Sequence, residues 1–296
     1  MYASVLRYAA GRYLWAALAL TGVSCLLFEL HTGRTPRGGD TWEGYTLGTI
    51  GTLLILWLAT LGIRKRSYAS TMGTVAGWTS AHVYLGVALL VVATLHCAGQ
   101  FGWNVHTLAY ALMVGVIMSG MLGVGLYLVA PPHLLGVRQG RSRAALFAEL
   151  AELNATLHNL ADRSRAEVAL AVHSAIDRTT LGGGAPAQLL GLDRSCMLRT
   201  DSPDQGGHTV LVRNPDQQAV TEFVSTFVPR SQKSTEAKVL QDITMALGRR
   251  QVILRQLRRD IRLGGWLTLW LYVHVPLTFA LLAALIVHVL VTFIYW

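Results

Sequence analysis

The sequence predicts an all-α integral membrane protein. Five helices span the membrane: the last four form a bundle, the first is an extra N-terminal span, and a mainly helical cytoplasmic insert separates the fourth from the fifth. Three observations predict this. Hydrophobic residues fill 52% of 296 positions, charged residues only 14%, and the mean hydropathy is +0.42, which does not describe an ordinary pair of soluble domains. The charges are gathered: 18 of the 25 Lys and Arg and 13 of the 16 Asp and Glu lie between 132 and 265. Five apolar runs, at 13–31, 45–63, 80–99, 107–129 and 266–294, are each long enough to cross about 30 Å of hydrocarbon as a helix. The domains follow: 1–131 holds four spans, 132–265 is the insert, and 266–296 completes the bundle.

The net charge of +9 resembles a nucleic-acid binder's, but its placement between apolar runs makes it topological, so lipid is the expected partner and nucleic acid is not. Composition and the lack of internal repeats leave no fibrous or solenoid alternative. Orientation follows from basic residues at span ends, because Lys and Arg resist translocation. Arg7, Arg12, Arg64, Lys65, Arg66, Arg138, Arg141, Arg143, Arg255, Arg258, Arg259 and Arg262 fall on one side. That side is predicted to be cytoplasmic, with the N-terminus and the insert. Arg34 and Arg37, offset by Asp40 and Glu43, the uncharged 100–106 turn and the C-terminus at Trp296 fall on the other, predicted to be periplasmic in a bacterial inner membrane. A removed signal peptide is the rival reading of the first run, but the run is long and no clear small-x-small site follows it, so a retained span is expected.

Within the insert, Leu146, Leu150, Leu153, Leu157 and Leu160 recur at helical spacing, as do Val239, Ile243, Leu247, Leu254, Leu257 and Ile261; these two stripes are predicted to pack together. Gly182, Gly183, Gly184 and Pro186 read as a turn, and the pieces at 209–213 and 220–228 as short strands. The three-glycine run lacks a phosphate-cradle pattern, so the insert reads as a helical hairpin with one ordered loop and not as a catalytic domain. Cys25, Cys97 and Cys196 form no CxxC, haem-attachment or iron–sulfur pattern and read as ordinary thiols.

The informative residues are His82 and His96 in the third span and His274 and His288 in the fifth. Fourteen helical steps of about 100° and about 1.5 Å place the members of each pair on nearly one face and about 21 Å apart. The third and fifth spans run parallel by topology, so His82 is level with His274 near the inner face, and His96 with His288 near the outer. Two facing neutral imidazoles suit the axial positions of a haem iron and bring no charge into the lipid. Gly48 and Gly62 in the second span repeat the fourteen-step interval and read as clearance for porphyrin edges at the outer and inner levels, with small-residue helix packing as the alternative. Gly115, Gly120, Gly123 and Gly125 in the fourth span read either this way or as small-residue helix packing. A histidine in a span otherwise serves as a packing residue or in a proton path, and divalent-metal sites prefer ligands three to five residues apart.

Paired H-x13-H motifs on parallel helices, with glycines at the same interval on an intervening helix, resemble the di-haem cytochrome b of the quinol:cytochrome c oxidoreductases. The resemblance covers the second to fifth spans. It implies a haem-binding bundle with two haems b, iron ligation by His82 and His274 at the inner site and by His96 and His288 at the outer, and electron transfer across the membrane. Pro276 resembles the family's proline in the corresponding helix, at a different offset, and is expected to kink the span. The first span and the large insert are departures, and no Pro-Glu-Trp-Tyr quinol-oxidation signature is present, so a linear conduit is expected in place of a bifurcating quinol site.

His106, with Trp103 and Asn104, is a candidate contact for an outer haem propionate or a quinone carbonyl; interface contact is the plainer reading for it, as for His31 and His133. Arg64, with Lys65 and Arg66, is a candidate for an inner propionate. His158, His173 and His208 read as surface or packing residues of the insert. The expected function is that of an electron-transfer subunit between a quinone pool and partner redox proteins, in a hetero-oligomer whose c-type cytochrome or iron–sulfur subunits are separate chains. The alternative of another class is a haem-free membrane anchor or sensor that displays the insert to a partner. A proton-coupled transporter would need broken helices and buried acids that the spans do not show.

Overall fold

A computed structural model describes residues 5–31, 36–67, 73–138, 142–201, 208–230 and 234–294, and of residues 5, 127–138, 201 and 230 the backbone alone. Arg34, Arg141 and Trp296, used above for orientation, lie outside the described residues, as do the side chains of His133 and Arg138. The chain divides into two compact units, Met1–Leu128 with Thr268–Trp296, and Val129–Leu267.

The first unit opens with a 3-10 segment, Val5–Gly11, that leads into α1 (Arg12–Glu29). α2 (Trp42–Ala59) begins where the Thr41 hydroxyl accepts from Gly44 N at 3.1 Å, which satisfies a backbone donor that the first helical turn leaves free. It gives way at Thr60 to the short α3 (Leu61–Arg66). α4 (Val75–Cys97) is capped in the same way by Thr74 on Gly77 N and ends on two left-handed residues, Ala98 and Gly99. α5 (Val105–Arg138) starts where the Asn104 carbonyl oxygen accepts from Thr107 N. Among the described residues, counting the last helix, five helices are long and apolar enough to cross a membrane, as in a multi-pass membrane protein.

Side chains of α2, α4, α5 and the last helix meet in one apolar cluster built on Ile55, Leu58, Leu89, Met113, Leu281 and Leu285. Its position is informative. Leu89 is seven residues from both His82 and His96, Leu281 is seven from both His274 and His288, and Ile55 is seven from both Gly48 and Gly62. Two helical turns on either side of one packed layer therefore bring the same helix faces to two levels. α1 packs chiefly on α4 and buries Ala17 and Ser24. The large apolar side chains left exposed on these helices, such as Leu26, Leu53, Leu122 and Phe279, suit a lipid surround.

The second unit holds α6 (Arg143–Ala161), α7 (Ala166–Asp177), α8 (Ala185–Leu190), the antiparallel strands β1 (Cys196–Asp201) and β2 (His208–Arg213), and α9 (Gln218–Ser225). The final helix, α10 (Ser234–Ile294), contributes to both units and continues through Pro276. The two leucine-rich stripes do pack together: Leu146 and Leu150 meet Leu254 and Leu257 in one core, and Leu157 meets Ile243 and Leu247 in another. The strand expected at 209–213 is β2, but its partner β1 was not anticipated. The strand expected at 220–228 is instead α9 and a 3-10 turn at Val228–Arg230. The reason is periodicity: Val220, Val224 and Phe227 stand four and three residues apart, and all three are buried against α7 and α10. The unit is thus more than a helical hairpin.

A polar seam lines this core. Arg250, 1% exposed, donates to Asn154 Oδ1 at 2.7 Å, Gln217 Oε1 at 2.5 Å and Thr179 Oγ1 at 2.9 Å, so three neutral oxygens hold its guanidinium. Nearby, Asp193 receives Arg258 at 2.8 Å. Burial pushes the Asp193 carboxyl up, but the backbone N–H of Asp216, the Ser195 donors and Arg258 together hold it below the usual carboxylate range.

Candidate functional site

The outer level assembles from α2, α4, α5 and α10. His96 Nδ1 donates to the Gly44 carbonyl at 2.7 Å. A carbonyl can only accept, so the proton of the neutral ring sits on Nδ1 and the Nε2 lone pair is left for a ligand. Its ring centroid stands 6.1 Å from that of His288, with the planes at 84°. His288 Nδ1 lies 2.6 Å from His106 Nδ1. His96, His106 and His288 line one cavity of about 890 Å³, together with Gly39, Gly48 and Tyr110; this is toward the upper end of the range for cofactor pockets, about 300–1,000 Å³.

Gly48 serves this level differently from what its spacing suggested. A Cβ there would stand 2.8 Å from His96 Cε1, so the clearance is taken by the histidine ring itself. Gly44, which sequence reasoning missed, is tighter still: a Cβ would meet the Gly38 carbonyl oxygen at 2.2 Å. Its signal was available as a Gly44-x3-Gly48 step on one face of α2.

The inner level is built from other partners. His82 Nδ1 donates to the Leu58 carbonyl at 3.1 Å. His274 Nδ1 lies 2.7 Å from Ser119 Oγ, whose own proton goes to the Val116 carbonyl at 2.9 Å, so the serine oxygen is the acceptor. Trp270 stacks on His274 with centroids 5.2 Å apart and donates to the Ser119 carbonyl at 2.8 Å. Gly123 makes room for that indole, since a Cβ would fall 2.2 Å from it, and Gly120 faces His274 Cε1 at 3.5 Å. His82 and His274 are the two rings of this level, one on α4 and one on α10. The Arg64 guanidinium donates to the Ser67 carbonyl at 3.0 Å and the Gly73 carbonyl at 2.6 Å. A Cβ at Gly62 would meet nothing within 4 Å, so the space beside it is open, and the close approaches to the rings at this level come from α5.

The remaining histidines separate cleanly. His31 is not an interface residue: its Nδ1 lies 3.2 Å from Glu43 Oε1, with 10% and 4% of the two side chains exposed. The pair joins the end of α1 to the start of α2. His158 and His173 bond to each other at 2.5 Å in the second unit, with Asp162 on the far side of His173, and His208 is exposed on β2. Trp103 is exposed, and Asn104 is spent on the α5 cap. Among the described residues, Cys25, Cys97 and Cys196 are free thiols, and no three His, Cys, Asp or Glu side chains converge as a bare ion would require. A haem iron needs only two, because the porphyrin supplies the other ligands.

No family model, curated protein or solved structure matches this chain.

Proposed function

We propose that the chain is the di-haem cytochrome b subunit of a membrane redox complex, passing single electrons between a quinone pool and partner redox subunits. The observation that carries this reading is a shared tautomer. His82, His96 and His274 each place Nδ1 against an oxygen acceptor, which turns a basic Nε2 outward and fixes the ring, as metal-ligating histidines require. The same face periodicity repeats this at two levels about 21 Å apart.

In this reading His96 and His288 hold the outer haem b and His82 and His274 the inner. The bound haems supply one-electron chemistry; the chain supplies everything around it. The Gly44 and Leu58 carbonyls, Ser119 and the Trp270 stack orient the ligands, Gly48 and Gly123 make room for the His96 ring and the Trp270 indole, and the layer around Leu89 and Leu281 excludes water. Arg64, with Lys65 beside it, is the candidate cation to balance a negatively charged propionate at the inner level. Basic span ends put the N-terminus and the insert in the cytoplasm and the C-terminus in the periplasm of a bacterial inner membrane. The c-type or iron–sulfur partners are separate chains of the complex, and a quinone is the further cofactor that this reading allows.

The test is a reduced-minus-oxidised spectrum of the purified chain with a pyridine haemochrome count. About two b-type haems per polypeptide is the expected result. A colourless, folded protein overturns the proposal and leaves a membrane anchor or sensor.

A further inference from the structure

Three of the four paired histidines rest on oxygens whose role is fixed. The Leu58 and Gly44 carbonyls can only accept, and the Ser119 hydroxyl has given its proton to Val116. His288 alone rests on a nitrogen. Its Nδ1 lies 2.6 Å from His106 Nδ1, with ring centroids 4.5 Å apart and planes at 83°. One of the two nitrogens must donate and the other accept. If His288 is to present Nε2 to a ligand, as its partner His96 does, its proton sits on Nδ1, and His106 accepts through Nδ1 while keeping its own proton on Nε2. An imidazole nitrogen is a stronger base than a carbonyl or hydroxyl oxygen, so it draws that proton further and leaves more electron density on the His288 ring.

We infer that His106 is a positioning residue for the outer pair, accepting a hydrogen bond from His288 Nδ1 that fixes the ring and makes an iron held by His96 and His288 harder to reduce than an oxygen acceptor would. This rests on the di-haem reading. It departs from the sequence expectation, which read His106 as an interface residue and, as the alternative, a contact for a propionate or a quinone. A more donating axial ligand stabilises the ferric state, and the second shell is one of the levers by which a protein sets haem potential. The inner level has no counterpart: Gly120, fourteen residues after His106 on the same face of α5, faces His274 without a side chain.

The experiment is redox potentiometry of the full, haem-loaded chain at one pH, with the outer wave identified as the one that His96→Ala removes. In His106→Leu the outer wave should move to higher potential by about a tenfold change in the oxidised-to-reduced ratio, about 59 mV for one electron, while the inner wave stays in place. His106→Asn, whose amide oxygen can accept, should bring the outer wave part of the way back. Should His106→Leu shed the outer haem, His106→Asn that retains it at a raised potential supports the same assignment. Unmoved waves in His106→Leu, two waves that shift together, or loss of the outer haem in both variants overturn the inference. Absence of haem from the unaltered chain instead strikes at the di-haem reading on which it rests.

Discussion

The outer and inner histidine levels share one spacing and differ in almost everything that surrounds it. At the outer level the rings stand in a cavity of about 890 Å³ and lean on Gly44 and His106. At the inner level they lean on Leu58 and Ser119, with an indole stacked on one of them. The difference teaches that helical periodicity sets where a ligand stands, whereas its hydrogen-bond partner and clearance are set locally by whichever neighbour reaches it. Two haems in one bundle can thus be given unequal environments without any change in the ligands.

The comparison breaks most visibly at the ligands. Replacing His96 or His288 with Ala should leave about one haem per chain, of inner character, and replacing His82 or His274 should leave the outer one; the haemochrome count and the surviving redox wave report which. Loss of both haems from any single substitution would mean that the two levels form one cooperative unit.

The glycines sharpen it next. Gly48→Val puts atoms where His96 Cε1 stands, 2.8 Å from the ideal Cβ, and should empty the outer site by tenfold or more, whereas Gly62→Ala meets open space and should leave both sites and the melting temperature unchanged. At the inner level Gly123→Ala would drive a methyl into the Trp270 ring. Overpacking of this kind costs about 1–3 kcal/mol, read as a lower melting temperature together with a change in the inner haem spectrum alone. The smallest effect is expected from Thr41→Ala, which removes the α2 cap beside Gly44; a loss of about 1 kcal/mol with a slight broadening of the outer signal would place the cap at the outer level.

These contrasts mark what the sequence could convey. Apolar run length and the grouping of charge gave the five membrane helices and the insert, because both follow from the cost of burying charge in lipid. His82, His96, His274 and His288 were legible because ionisable residues in spans are rare and their interval repeats. Gly44 and Leu58 act through backbone carbonyls, which carry no residue signature at all. Ser119 and Trp270 look like ordinary span residues until α5 and α10 meet. His106 was named as a candidate but not its partner: it lies fourteen residues before Gly120, the same interval as the histidine pairs, so the periodicity that singled out the four histidines also reached their neighbour. In the insert, the β-branched content of 220–228 suggested a strand, and the four- and three-residue steps of its buried side chains made a helix instead.

The packed layer between the two levels has a consequence for energy conversion. Its buried members, Ile55, Leu58, Leu89, Met113, Leu281 and Leu285, are hydrocarbon or thioether, and none can carry a proton alongside an electron. If the two levels hold the proposed haems, an electron passing between them through this layer would move charge with no proton beside it, an electrogenic step. A full crossing against 100 mV costs about 2.3 kcal/mol per charge, and levels about 21 Å apart in about 30 Å of hydrocarbon feel most of that field. Membrane voltage would then set the ratio of reduced inner to reduced outer haem, so that an energised membrane holds electrons back on the side that its polarity favours.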